Sequence, residues 1–323
     1  MKVVVVEDPG GPERMQLVDA PVPVPGDGEA LVRVAYSGVN FIDVYFRTGL
    51  YKADRPITLG SEASGTVERV GPGVTEVAPG DRVAYAMVRG SYAEYAVVPA
   101  AKLVKVPGEV ELATAAAIML QGMTAHYLTH STYPLTPESS CLVHAAAGGT
   151  GGLVVQMAKL RGARVFGTTS TEEKAREVRQ LGADHAIVYT TQDFEAEVHR
   201  LTNGRGVDVV YDSVGKTTFD KSLASLRVRG TLALFGQSSG SVHPVDPVTL
   251  NTRGSLFLTR PNLGHYLLDR QELLWRAGDV LRYVASGAVK VRISKVYSLA
   301  DAADAHRDLE GRKTTGKLLL KVE

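Results

Sequence analysis

Residues 141–160 read Cys141-Leu142-Val143-His144-Ala145-Ala146-Ala147-Gly148-Gly149-Thr150-Gly151-Gly152-Leu153-Val154-Val155-Gln156-Met157-Ala158-Lys159-Leu160. An apolar run, a glycine-rich turn and a helix-like stretch follow one another in the order of a dinucleotide site. Glycines let the backbone turn tightly and approach a pyrophosphate, and the helix N-terminus offers free N–H groups and the positive end of its dipole. The spacing is Ala145-x-x-Gly148-x-x-Gly151 rather than a strict G-x-G-x-x-G. Taken alone it leaves a plain glycine-rich turn open, so the flanking sequence has to carry the reading.

That flanking sequence is a βαβ series. A second strand is expected over residues 163–167, a helix over 172–181, and further strands over 185–189, 207–212, 231–236 and 255–258. Continuously apolar strands alternating with helical patterns indicate a parallel sheet covered on both faces. Six strands with the phosphate turn after the first suit the Rossmann arrangement.

The first 120 residues differ. Short β-rich segments are punctuated by Pro25-Gly26-Asp27-Gly28, Gly71-Pro72-Gly73 and Pro79-Gly80-Asp81, which indicates an antiparallel, partly barrel-like domain. A helical stretch over 112–128 leads into the dinucleotide domain. Beyond residue 262 come a helix over 267–286, a short strand near Val291, a helix over 299–309 and a last strand, Lys317-Leu318-Leu319-Leu320-Lys321-Val322. That strand is isolated from the parallel sheet and is expected to return to the first domain. The expected division is 1–121 with 263–323 as one domain and 122–262 as the other, with the reaction site in the cleft between them.

Composition narrows the function classes. The 323 residues suggest two domains. With 36 basic and 35 acidic side chains the net charge is +1, which gives no general attraction to nucleic acid or an anionic membrane. One cysteine excludes an intramolecular disulfide and suits a reducing compartment. No basic and apolar leader precedes the first strand pattern, and apolar runs fall short of the roughly 18 residues a membrane helix needs. A cytoplasmic protein is expected.

Taken together, the motifs resemble those of the medium-chain dehydrogenase/reductases, specifically the zinc-independent quinone oxidoreductase (zeta-crystallin-like) family. The resemblance spans the chain. It rests on Gly38-Val39-Asn40-Phe41-Ile42-Asp43, Gly60-Ser61-Glu62-Ala63-Ser64-Gly65, Gln121-Gly122-Met123-Thr124-Ala125, the 145–151 turn, Tyr211-Asp212-Ser213-Val214-Gly215, Phe235-Gly236-Gln237-Ser238-Ser239-Gly240 and Thr259-Arg260-Pro261. It implies a GroES-like β-rich catalytic domain beside the Rossmann domain. It also implies that Asn40, Asp43, Tyr127, Gly148, Gly149, Ser213, Gly236, Ser238, Arg260 and Arg312 line the cofactor, alongside Thr124, Thr150 and Phe235. Each has a structural alternative: Asp43 a helix cap, Ser213 a strand end, Arg312 a surface residue. Phe235-Gly236 ends a parallel strand on the side where ligands usually bind.

Zinc-using relatives carry Cys in place of Asn40 and His in place of Ser61. An amide and a hydroxyl are poor zinc ligands, and a catalytic zinc needs about three good ones. His126 and His130 stand at i, i+4, but no Glu or Cys completes a set nearby. No metal is expected.

An NAD site places Asp or Glu at the end of the second strand, on the ribose 2′-OH. Here that position reads Gly167-Thr168-Thr169-Ser170, with Lys174 one helical turn on and Tyr189 closing the third strand. A hydroxyl, an ammonium and a phenol suit a 2′-phosphate, and the family uses their equivalents so. The alternative makes Lys174 and Arg176 solvated helix charges. NADPH is the expected cofactor.

The cofactor carries the hydride, and the protein positions it against an acceptor. With no metal and no evident proton relay, that acceptor must take hydride readily, as a quinone does. Candidate catalytic groups are Asn40, as a partner for the quinone oxygen or a water, and Tyr45 and Tyr51, as stacking groups or proton donors. Packing is the alternative for both tyrosines. Thr124 and Gln121 are further polar groups near the domain junction. Reduction of an enal or enone C=C bond is the alternative chemistry, and an NADPH-binding structural or RNA-associated protein the alternative class. The apolar segment 255–259 would be a sheet edge, which predicts a homodimer.

Overall fold

The computed structural model describes residues 1–311 and 314–322. The chain divides into two compact units, Thr124–Tyr266 and the remainder on either side of it, Met1–Met123 with Leu267–Glu323.

Thr124–Tyr266 holds six parallel strands, in the order His185–Val188, Arg164–Thr169, Ser140–Val143, Val207–Asp212, Leu226–Leu234, Phe257–Thr259. In sequence this is 3-2-1-4-5-6, the Rossmann order. Successive side chains of a strand point to opposite faces. Ser140–Val143 and Val207–Asp212 are buried at every position, so both faces are covered. The fifth strand begins five residues before the expected start and ends at Leu234, so Phe235 and Gly236 lie beyond it. The sixth begins two residues late, because Ser255 takes a left-handed φ of 55° and turns the chain first.

In the other unit the 11-residue strand Glu29–Val39 is central. It pairs antiparallel with Glu62–Val70, with Tyr95–Pro99 and with Lys317–Lys321 near the C-terminus. The strand expected near Val291 runs from Ile293 to Ser298, parallel to Lys317–Lys321. A core of Val32, Val34, Val67, Val83, Tyr85 and Leu320 fills the layer beneath. This is the GroES-like, β-rich fold. Helix Leu112–Tyr127 carries the chain out of it. Gly122 of that helix admits Val280 of helix Arg270–Ala285, since a Cβ there would lie 2.7 Å from Val280 Cγ1.

Candidate active site

Strand Glu29–Val39 runs directly into helix Phe41–Arg47, and the junction builds the first group of functional side chains. Asn40 is the N-cap, and Asp43 reaches back to accept its backbone N–H at 2.9 Å. The Asn40 amide is fully used. Its Nδ2 donates to Glu62 Oε2 at 2.8 Å and to the Gly38 carbonyl at 3.2 Å. Its Oδ1 accepts from Lys317 Nζ at 2.8 Å and Gln121 Nε2 at 3.2 Å. An amide has two donors and two lone pairs, so nothing is left for a quinone oxygen or a water. In this structure Asn40 is held by protein on all four positions.

Glu62 and Lys317 form a buried ion pair at 2.5 Å, with side chains 0 and 1% exposed. Glu62 Oε1 also accepts the Leu120 backbone N–H. Gly38 makes room for the carboxylate, since a Cβ there would collide with Glu62 Oε2. Burial pulls the Lys317 ammonium below its usual value, and the Glu62 charge opposes that pull.

A second row begins at Asp43, which accepts from Ser61 Oγ at 2.8 Å and Tyr92 Oη at 3.3 Å. Tyr92 Oη lies 3.1 Å from His306 Nε2, and His306 Nδ1 lies 3.0 Å from Arg47 Nη1. Arginine only donates, so Nδ1 accepts and Nε2 carries the hydrogen. Burial, with Arg47 beside it, pushes His306 down to about 3, so the ring is neutral. The row ends on the Arg47–Glu310 pair at 2.7 Å. A guanidinium does not give up its proton, so this row orients Asp43 and does not conduct protons.

Tyr45 and Tyr51 come together on the same helix and the turn after it. Their rings meet edge to face at 5.2 Å, and Tyr51 also meets Phe46 at 5.6 Å. Both are half-buried. Asp43 and Tyr127, expected to line a cofactor, are buried. Asp43 serves the helix cap, and Tyr127 stacks on Tyr266 at 4.2 Å. Thr124 is 8% exposed. His126 and His130 stack face to face at 4.0 Å, and His130 Nδ1 lies 2.8 Å from Thr129 Oγ1. Among the described residues no group of three or more His, Cys, Asp or Glu side chains is placed to hold a metal ion.

In the Rossmann unit, strand Ser140–Val143 leads through the turn to helix Gly149–Leu160. The left-handed residue of this turn is Ala145, φ 50°, and not a glycine. The glycine requirement falls on Gly151, whose Cβ would collide with the Ala145 carbonyl oxygen. Gly148 is the N-cap and makes no side-chain hydrogen bond. The first-turn N–H groups are thus left to be met from outside the helix. Gly148, Gly149 and Thr150 are half-buried there.

Below the turn lies a network that sequence reasoning missed. His144 Nδ1 lies 2.9 Å from Thr168 Oγ1 and its Nε2 lies 2.9 Å from Ser222 Oγ. Ser222 and Thr218 donate to Asp212 Oδ2 at 2.8 and 2.7 Å, and the Val214 and Gly215 N–H groups to Asp212 Oδ1. Burial lowers the His144 value, which keeps the ring neutral. His144, directly before the glycine turn, was the one signal.

At the far end, Thr169 stands opposite Val188, and the Tyr189 N–H donates to the Thr169 carbonyl at 3.0 Å. Ser170 and Tyr189 therefore leave the sheet side by side. Lys174 sits in the first turn of helix Glu172–Gln180, whose N-cap is Thr171. Phe235, Gly236 and Ser238 follow the fifth strand. The Ser238 N–H donates to the Ser213 carbonyl at 3.1 Å, and a Cβ on Gly236 would lie 2.6 Å from that same oxygen. Arg260 is exposed just past the sixth strand. Arg312 lies outside the described residues.

Residues 26–108 match the alcohol dehydrogenase GroES-like domain and residues 149–266 the zinc-binding dehydrogenase model. A quinone oxidoreductase of Pseudomonas aeruginosa is 43% identical over 313 residues, 96% of each chain. The chain belongs to the quinone oxidoreductase family of medium-chain dehydrogenase/reductases. Another family relative, the 2-haloacrylate reductase of a Burkholderia species, is 44% identical over 98% of this chain and 97% of its own. The Escherichia coli quinone oxidoreductase complexed with NADPH superposes with a TM-score of 0.98 at 40% identity, covering all of both chains. A mycobacterial structure complexed with NADPH does so at 0.97 and 48% identity, also over both whole chains. Within the quinone oxidoreductase family this chain's residues fit such a dinucleotide. An uncapped helix start follows a glycine turn, and a hydroxyl, an ammonium and a phenol stand where an NAD site has a carboxylate.

Proposed function

We propose that the chain is an NADPH-dependent quinone reductase that works without a metal. The observation that carries this reading is the strand end Thr168-Thr169-Ser170, which holds no carboxylate, with Tyr189 beside it and Lys174 on the next helix next to Glu172 and Glu173, in a chain that matches NADPH-complexed relatives over its full length. When bound, the dinucleotide supplies the hydride. Ser170, Lys174 and Tyr189 hold the 2′-phosphate. The first-turn N–H groups at Gly149 and Thr150 take the pyrophosphate. The loops at Ser213 and at Phe235, Gly236 and Ser238 line the remainder, with Arg260 at its edge. Tyr45 and Tyr51, packed edge to face, give an aromatic corner against which a planar acceptor can rest. The hydroquinone anion formed by hydride transfer takes its proton from water. The protein is a cytoplasmic homodimer, paired along the edge strand Phe257–Thr259.

A C=C reductase is the second reading, favoured by the 44% identity to a 2-haloacrylate reductase. An enolate gains more from a placed acid, worth roughly 10²–10⁴-fold, and the half-buried Tyr51 carries a phenol that can serve as that acid. NADPH oxidation against a quinone panel and an enone panel decides between them. Quinones are turned over, the rate survives exhaustive chelation, and Tyr51→Phe keeps most of it. Poor quinone turnover with enone reduction that collapses in Tyr51→Phe would move the assignment to the second reading.

A further inference from the structure

The Asn40–Gln121 amide pair has a fixed polarity, and it ends on an unused acceptor. Asn40 Nδ2 faces acceptors only, Glu62 Oε2 and the Gly38 carbonyl. Its Oδ1 faces Lys317 Nζ, which only donates. Turning this amide over would set oxygen against a carboxylate and NH2 against an ammonium, so the buried ion pair decides its orientation. Gln121 is then fixed in turn. Its 3.2 Å contact with Asn40 Oδ1 must be made through Nε2, because two oxygens would repel. Gln121 Oε1 is left at the other end of the amide. That atom is buried and meets no donor among the described residues. A buried acceptor without a donor is a loss that a ligand N–H or O–H removes and a ligand carbonyl worsens.

We propose that Gln121 Oε1 is a specificity-determining acceptor for an N–H or O–H donor of the bound ligand, and that Lys317 with Glu62 is the positioning element that keeps it an acceptor. The inference rests on the NADPH and quinone reading above. A quinone offers only acceptor oxygens there. The donor proposed is one of two at the reacting end, the hydroxyl of the hydroquinone product or the carboxamide N–H of the nicotinamide. In the first case Gln121 tells reduced from oxidised acceptor, and in the second it tells a carboxamide from a ketone.

Calorimetric titration of wild type and Gln121→Met distinguishes the sources. The ligands are a hydroquinone and its dimethyl ether, which lacks O–H, and NADPH and its 3-acetylpyridine analogue, which lacks the amide N–H. Wild type binds the donor-bearing member of one pair about tenfold tighter, and Gln121→Met removes that ratio while leaving the donor-less ligand in place. The pair that responds names the source. A ratio near one for both pairs in wild type, or a ratio that survives in Gln121→Met, overturns the inference. The double variant Lys317→Met with Glu62→Gln removes both buried charges together and frees Asn40 to turn. Its ratio falls towards one, with folding checked by thermal melting. A folded double variant that keeps the ratio overturns the role given to the ion pair, and Gln121→Met decides the acceptor by itself. Wild type that binds NADPH and reduces quinones while showing no ratio sinks this inference alone. Wild type that does neither sinks the functional reading as well.

Discussion

Replacing Lys174 by Ala removes an ammonium from the first turn of helix Glu172–Gln180, next to a strand end at Ser170 that itself holds no carboxylate. A charged hydrogen bond to a phosphate is worth about 1.5–3 kcal/mol. NADPH binding should weaken by that much and NADH binding little, measured as two dissociation constants. Equal weakening would reject Lys174 as the phosphate partner. Asp43 gives a second test. Burial pushes its carboxyl up to about 6, against hydrogen bonds from Ser61 and the Asn40 backbone that favour the charged form. The folded state then keeps a proton that the unfolded chain releases between pH 4 and 6, so this group's contribution falls as pH rises through that window. Asp43→Asn has no such loss. Its melting temperature relative to wild type should rise from pH 4.5 to 7, by on the order of 2–3 kcal/mol of stability at most. A difference that is flat with pH would reject the raised value. Ser170, Lys174 and Tyr189 can be proposed from sequence because strand-end chemistry is local, and the structure sets Ser170 beside Tyr189. Lys317 and Glu62 were not, since nothing local pairs a lysine with a glutamate 255 positions away. The one hint was a lysine opening a strand, Lys317–Lys321, whose three central residues are all leucine.

Among the elements, the glycine turn was legible as a motif but not in its mechanics. The sequence suggests that glycines bend it, whereas Ala145 takes the left-handed angle and Gly151 is needed because the Ala145 carbonyl presses on it. Gly151→Ala should therefore displace the helix start, with overpacking of about 1–3 kcal/mol and a loss of NADPH affinity. Gly148→Ala should be milder, as its Cβ would stand 3.1 Å from the same oxygen. Thermal melts with and without NADPH check the order, and a larger effect at Gly148 would refute it. Helix Phe41–Arg47 was seen only through a possible cap at Asp43, because its seven residues are too few for a periodic pattern. Strand starts slipped by two to five residues where a left-handed residue or a bulge intervenes.

For the whole molecule, the 3-2-1-4-5-6 order leaves Phe257–Thr259 at one edge of the sheet, with Phe257 61% exposed. An apolar edge without Lys or Pro invites pairing with a second copy about a twofold. Light scattering should give twice the 34.5 kDa chain mass for wild type and a smaller species for Phe257→Lys. A mass of 34.5 kDa at all concentrations for wild type would count against the dimer. Fold class was legible because two periodicities, one β-rich and punctuated and one βαβ, occupy separate stretches of sequence. The return of Lys317–Lys321 to strand Glu29–Val39 has a further consequence, in the order of synthesis. On a ribosome the Rossmann segment is complete and free to fold while the β-rich unit still lacks its last strands. Through that interval Glu62 and Asn40 exist without Lys317, so their carboxylate and amide stay hydrated until the final strand arrives. The newborn chain is thus a finished nucleotide-binding module carrying an open, unpaired acidic seam, and the last strand to be made is the one that closes it.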